Sequence, residues 1–501
     1  MAAEPSDLRR SAFLLLTAAA VAIAAAKTVG AENVIEPSRY KAPEQGGYGA
    51  EPDRAWPASR PDPHPTFSSN DKSRWATARA LVHDRTFVIG QRTYPDAGDP
   101  TKYKDVGIVA EPAYRSLDVV MNPKTKEFYS SKPPLMAVLV ACEYWVLNRA
   151  VGWDIGRDRW LVIPTIVLTW NVLPMAVYLV LLGRLIDTTG KTDFGKLLTF
   201  AAAALGTFLL TFSHTLNNHL PAAYCVLFAS YPLLRAVAEN RDMPPVGYGS
   251  CGFFAAFAAT FELPALAFLV ALMVPLLVAR PRHTLLFFVP CALVPLAALF
   301  LANYAAMGRL LPAYSEFGGE WYNFEGSHWA KLGTPAAKGI DFNNEPTSVY
   351  AFHLTLGHHG WFSLTPVWLL AFAGLLAAGI RSAPDVRKLF AKQKATGWTR
   401  EMFAAMTVVV SLTVFCFYLM RTQSYNYGGN TSGPRWLFWL IPLWVLALPT
   451  AADWLARSAA GRLLGAVLLG LGVLSVFYPA WNPWRNPWLL QLMEYTGLLR
   501  Y

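Results

Sequence analysis

The side chains best able to do chemistry in this 501-residue chain stand at the edges of long apolar runs. Asp71 and Arg74 are spaced i, i+3 in the first turn of a helix for which Asn70 is a suitable N-cap. Trp75, Ala78, Leu81 and Val82 follow on one face of that helix. An acid at this position complements the helix dipole and can pair with Arg74. It can equally serve as a general base toward a hydroxyl or amine, or help bind a metal. Lys132 precedes Pro133 and Pro134, which suit helix initiation. The dipole disfavours a cation there unless an anion lies between them, and lysine beside open N–H groups suits a phosphate. The plainer reading is a lysine snorkelling to the interface. The segment Tyr425–Trp436, with three glycines and Pro434, repeats the arrangement and leaves Arg435 at another helix start. That arginine suits bidentate phosphate binding, or else sits at the interface beside an aromatic belt.

Glu262 interrupts the otherwise uncharged stretch Met243–Ala279, two residues before Pro264. An acid at membrane depth is a functional candidate unless it reaches the interface. Asn217, Asn218 and His219 occupy another turn, where they can meet an acceptor or simply shape the turn. His358 and His359 precede Gly360-Trp361. Adjacent histidines point apart on a helix, so they are expected to act singly, as an acid–base or phosphate contact. No ligand cluster has metal-site spacing, so no metal site is assigned and a divalent cation is left open as a cofactor.

These residues need elements to hold them. Leu161–Gly183, Leu263–Ala279, Thr284–Gly308, Met402–Met420 and Leu463–Trp484 contain no Asp, Glu, Lys or Arg, and about 20 such residues span a bilayer. Charged residues make up 15% of the chain against about 25% in soluble domains, which excludes an ordinary cytosolic enzyme. The net charge of +10 reads as positive-inside bias and attraction to membrane lipids, with no nucleic-acid partner. The five cysteines lie in apolar segments without CxxC spacing, which excludes a disulfide framework.

Pro133–Ala150 decides the topology, because it is apolar yet carries Glu143 and ends at Asn148-Arg149. If it does not span and lies re-entrant or interfacial, the linkers 184–196, 235–247, 280–283, 381–400 and 455–462 all fall inside. Those linkers carry most of the Lys and Arg near the spans, as the positive-inside rule requires. The expected fold is therefore an all-α polytopic membrane protein with about eleven transmembrane helices. Residues 1–31 form a first helix or signal sequence, 32–159 an extracytoplasmic loop with interfacial helices, and 160–306 a transmembrane core. Residues 307–359 form a second outer loop, 360–480 further spans, and 481–501 an outer tail. Within the first loop, Glu36–Phe67 is expected to be irregular and the Asn70 helix to lie flat on the membrane. This topology puts Asp71, Lys132, Asn217, Asn218, His219, Glu262, His358, His359 and Arg435 on one face.

The run Asn70-Asp71 to Val82, followed by Phe128-Tyr129-Ser-Ser-Lys132-Pro133-Pro134-Leu135, resembles the first periplasmic loop of the GT-C glycosyltransferases. The nearest likeness is to the aminoarabinose transferase and protein O-mannosyltransferase-like bacterial families. Gly357–Pro366 and Tyr427–Trp436 are similar to later motifs of such proteins. The resemblance implies a GT-C fold, Asp71 as catalytic or acceptor-orienting acid, and Lys132 beside a lipid phosphate. Ser131 and Asn217-Asn218 stand where the family often has acids, and Glu262 where it often has a lysine; Glu262 is a candidate for the missing carboxylate.

The resulting expectation is a transferase of the bacterial inner membrane, its active site facing the periplasm. It would move a sugar from a polyprenyl-phosphate donor to a lipid, glycan or protein acceptor. Asp71 and Glu262 would be catalytic. Lys132, Arg435, Arg74, His358 and His359 would meet the donor phosphate, and Asn217, Asn218 and His219 the acceptor. The rival readings are a lipid or polysaccharide transporter, which predicts repeat symmetry and midplane charges, and an inactive lipid-binding scaffold of the same fold. Oligomeric state is not readable from the sequence.

Overall fold

The computed structural model describes residues 7–33, 62–95, 102–335, 340–342, 345–390, 398–420 and 426–499. Most of the expected irregular stretch 36–67, much of the basic linker 381–400 and Tyr425 lie outside the described residues. The chain is mostly helical. Among the described residues eight helices are long and apolar enough to cross a membrane, nine if the bent pair Arg435–Val445 and Leu448–Leu455 is one span. Large aliphatic side chains such as Leu293, Val294, Leu301, Leu463 and Val467 point outward, which is stable only against lipid or another apolar partner. This is a polytopic membrane protein.

Helix α1 (Asp7–Val29) is an integral part of the bundle. It packs on the helices Arg159–Thr189 and Asp193–Thr211. Its buried Arg9 bonds Asp187 at 2.9 Å and also pairs with Asp193. The bent pair turns by 63° and has Pro449 inside its second helix, where a missing N–H and a ring clash weaken the helical ladder. The stretch Met243–Ala279 breaks at Glu262 into helices Pro245–Phe261 and Leu266–Ala279, as the single acid and Pro264 suggested.

The first loop departs from the all-helical expectation. Helix α2 (Ser69–His83) is followed by strands β1 (Gly90–Thr93), β2 (Lys104–Val106), β3 (Val119–Met121) and β4 (Glu127–Ser130), then by helix α3 (Pro134–Val151). The strands form an antiparallel sheet in the order β2-β1-β4-β3. Asn122 closes the β3–β4 hairpin: its side chain accepts from Lys124 N–H at 2.9 Å, and Lys126 takes φ 61°. The α2 N-cap is Ser68, whose Oγ accepts from Asp71 N–H at 3.1 Å; Asn70 lies inside the helix. Trp75 and Ala78 are buried as expected, but so are Asn70, Asp71, Ser73, Arg74 and Thr77. Strand β4 and α3 both pack on α2, and with its polar residues buried α2 is enclosed where a helix lying flat on a bilayer would show one polar face.

By length and composition α3 is itself one of the eight membrane-compatible helices. Its Glu143 accepts from Thr169 Oγ1 at 2.6 Å and Trp170 Nε1 at 3.0 Å. The charge that made this helix ambiguous in the sequence is thus bonded to the neighbouring helix.

Candidate functional site

Asp71 lies in the first turn of α2 and is 1% exposed. Its Oδ2 accepts from Phe67 N–H at 3.2 Å, while Oδ1 is buried without a hydrogen-bond partner among the described residues. Burial raises its pKa to about 7, against the lowering effects of the Phe67 N–H, of the nearby Trp75 side chain and of Arg74. A carboxyl group so placed exchanges a proton near neutral pH, which matches the demand on a general base.

One turn further, Arg74 bonds Asn70 Oδ1 and donates to Asn218 Oδ1 at 2.9 Å. Burial lowers its pKa to about 10, with Asp118, Asp71 and Glu262 opposing, so it remains cationic. Asn218 passes the contact on, its Nδ2 donating to Glu262 Oε1 at 2.5 Å. The same oxygen pairs with His219 Nδ1, and His219 Nε2 lies 3.5 Å from Arg435 Nη1. A guanidinium only donates, so Nε2 is the accepting nitrogen and Nδ1–H donates to Glu262. A buried chain, Arg74–Asn218–Glu262–His219–Arg435, therefore joins the first loop, two turns of the bundle and the glycine-rich segment. Arg435 also donates from Nε to Gly428 O at 3.0 Å and lies over the Trp484 ring, 4.6 Å from its centroid. A Cβ on Gly428 would sit 2.8 Å from Arg435 Nε, and its φ is +97°; both requirements favour glycine.

Lys132 is the third cation. The β3–β4 register pairs Val119 with Ser130, and the next step sets Ser131 N–H on Asp118 O at 3.0 Å. That brings Lys132 Nζ to 2.8 Å from the buried Asp118 carboxylate. The expected anion at this position is thus supplied, in part, by the protein itself. Burial lowers the Lys132 pKa, Asp118 raises it, and Arg435 and Arg74 are near enough to lower it further. The two cations expected to share one ligand are on the same face and feel each other. A small, partly open cleft with room for about one water lies against Arg74, Lys132, Tyr129 and Met307. A roomier cleft is lined by Arg241, Asp242, Arg280 and Trp398 and touches none of these residues. The smaller cleft is the relevant one because two of the cations, Arg74 and Lys132, line it.

Other candidates fall elsewhere. Asn217 spends its side chain on the turn, accepting from His219 N–H and Leu220 N–H at 3.0 Å and donating to Phe212 O and Thr215 O. It positions His219 and presents no polar atom to a ligand. His358 and His359 are not on a helix. Their Nδ1 atoms lie 2.6 Å apart, correcting the expectation that they point away from each other. Burial pushes the His358 pKa far down and that of His359 to about 3, so neither exchanges a proton near neutrality, contrary to the acid–base role expected of one of them. They belong to a second cluster with His353, Glu345 and Tyr427, which is linked to Arg435 through the Tyr427-Gly428 turn.

Asp118, Asn171, Tyr314 and Trp484 were not singled out from the sequence. Asp118 had a signal, a lone acid before the apolar triplet Val119–Met121. Asn171 holds the 213–217 turn by donating to Ser213 O at 3.0 Å and Thr215 O at 2.7 Å. Burial raises the Tyr314 hydroxyl pKa, and Glu262 and Arg74 are its charged neighbours; nothing local in the sequence marks it. No family model, no curated protein and no solved structure matches this chain.

Proposed function

We propose that the chain is a GT-C-type glycosyltransferase that moves a sugar from a polyprenyl-phosphate carrier to an acceptor hydroxyl or amine. The observation that carries this reading is a buried carboxylate, Asp71, one turn from the buried Arg74, which in turn has Lys132 and Arg435 as charged neighbours. Asp71 accepts the proton of the acceptor as its oxygen or nitrogen attacks the anomeric carbon. The bond from that carbon to the carrier phosphate breaks, the electron pair leaves with phosphate, and configuration inverts. The cations stabilise the charge that develops on the leaving group, and fixed donors in a water-poor site are most effective at this. Glu262 sets the Arg74 and Arg435 side chains through Asn218 and His219. In this reading about eleven spans carry the site at the periplasmic face of a bacterial inner membrane, and the enclosed α2 holds Asp71 above them.

A transporter would need polar groups at mid-depth, and the polar chain here joins turns and helix ends instead. The test is sugar release and transfer in liposomes containing defined polyprenyl-phosphate sugars. Wild type should turn over at least one donor, and Lys132→Ala and Arg435→Ala should each slow it about 100-fold. An absence of turnover with every donor would favour the lipid-binding scaffold.

A further inference from the structure

A second polar cluster lies apart from Asp71 and the cation chain. Glu345, His353 and His358 each offer one ligand atom, and these atoms all lie within 4.8 Å of one another. His353 is on the helix Thr347–Thr355, Glu345 stands two residues before it, and His358 lies in the turn after it. The geometry points to a binding site for a divalent transition cation of the zinc type, held by Glu345, His353 and His358 with one coordination position open.

Four observations support it. The donor set, two imidazoles and one carboxylate, is a three-protein-ligand arrangement that zinc accepts, with bonds of about 2.0–2.2 Å. Tetrahedral ligands then lie roughly 3.3 Å apart, so side-chain rotation over roughly an ångström or so closes the set. Second, His353 Nδ1 is buried without a hydrogen-bond partner among the described residues, in a residue 8% exposed. A neutral imidazole nitrogen left so is costly unless something else satisfies it. Third, the His353 ring stacks on His358 with centroids 4.0 Å apart, and a Cβ on Gly357 would sit 2.3 Å from His353 Nδ1. The turn is therefore shaped around that nitrogen.

Fourth, the surroundings orient the ligands. His359 Nε2 lies 3.1 Å from Thr431 O and must donate to it. With its proton on Nε2, His359 accepts at Nδ1 from His358 Nδ1–H, 2.6 Å away. That assigns the lone pair of His358 to Nε2, the nitrogen a cation would take. Ligating histidines are characteristically held in this way by an outer hydrogen bond. Tyr427 donates to the Glu345 carboxylate and stacks on His359, holding the third ligand in place. Tyr427 has φ 56°, a conformation that costs a bulky residue unless its surroundings compensate. The adjacent Gly428 carbonyl accepts from Arg435, so the metal site braces the segment that carries this arginine.

The test uses the full chain in lipid nanodiscs, stripped with a chelator and titrated with zinc(II) alone or cobalt(II) alone. Wild type should take up one tight equivalent, with cobalt giving the intense visible bands of a low-coordinate site. His353→Ala and Glu345→Gln should weaken binding at least 10-fold, and Asp71→Asn should leave it unchanged. If His353→Ala does not fold, the Glu345→Gln titration and zinc-dependent protection of amide exchange in residues 426–435 carry the test. Wild type without a tight equivalent, or full affinity in folded Glu345→Gln, would overturn the proposal. So would equal loss in Asp71→Asn, which would place the metal at the other centre.

Discussion

The two polar centres are built in opposite ways. The Asp71 centre gathers residues from α2, the β3–β4 register, the 217–219 turn, the Glu262 break and the segment before residue 435. The histidine centre is nearly local, with Glu345, His353, His358 and His359 within one short stretch and Tyr427 and Thr431 closing it. The first is a network of charges bridged by neutral side chains. The second is a stack of aromatic rings around neutral imidazoles. A dispersed centre depends on the whole bundle, whereas a local one can be altered while the bundle stands.

Asp71→Asn should have the largest effect, lowering transfer by about 10²–10⁴-fold if Asp71 is the base, read as single-turnover sugar transfer at fixed donor. Next comes Arg435→Lys. It keeps the charge but loses the planar fork that reaches Gly428 and His219, and an ammonium does not reproduce it. Transfer should fall about 10–100-fold with donor binding weakened, while zinc uptake at the histidine centre is retained. Loss of both functions together would join the two centres into one.

The pH dependence separates them further. With its pKa raised from 3.8 to about 7, Asp71 is protonated in the folded chain across a window where it is ionised when unfolded. The protonated native form therefore contributes stability that is fully present below about pH 4 and lost as pH rises through about 7. Three pH units correspond to about 4 kcal/mol. Transfer should rise about tenfold per unit toward pH 7 and then level off, while wild-type stability declines relative to Asp71→Asn over pH 4–7. Denaturant titration across pH checks the second half; a variant tracking wild type at every pH would show that Asp71 is not buried as described.

The smallest effect is expected at Asn217. Asn217→Ala should cost about 1 kcal/mol of stability, as for loss of a helix cap, and leave the pH profile of the remaining transfer activity unchanged. Asn218→Ala should instead uncouple Arg74 from Glu262 and lower the rate. Thermal melts with rate measurements on the two neighbours distinguish a turn residue from a network residue.

The main candidates were legible in the sequence for one physical reason: charges at apolar boundaries are expensive and stand out. Asp71, Arg74, Lys132, Glu262 and Arg435 all drew notice that way, and the structure brings them together. Asp118 was not found because its partner is set by strand register, and the strands are three or four residues long. Such short runs carry too little alternation to read. The N-cap fell on Ser68 because its hydroxyl, and not the side chain of Asn70, meets the free N–H of Asp71. The histidine pair was misjudged because a helix was assumed where the chain turns at Gly357. The apolar runs located the bundle, while its bend at Pro449 and the enclosure of α2 depend on packing that no single segment encodes.

Asp71 is proposed as the proton acceptor, with Arg74 beside it and Lys132 and Arg435 as the neighbours of Arg74. The most direct measurement is the pH profile of single-turnover sugar transfer from a polyprenyl-phosphate donor in nanodiscs, for wild type and Asp71→Asn. The wild-type rate should climb to a plateau near pH 7, and the variant should be slow and flat across the range. Equal rates and matching profiles for the two proteins would contradict it.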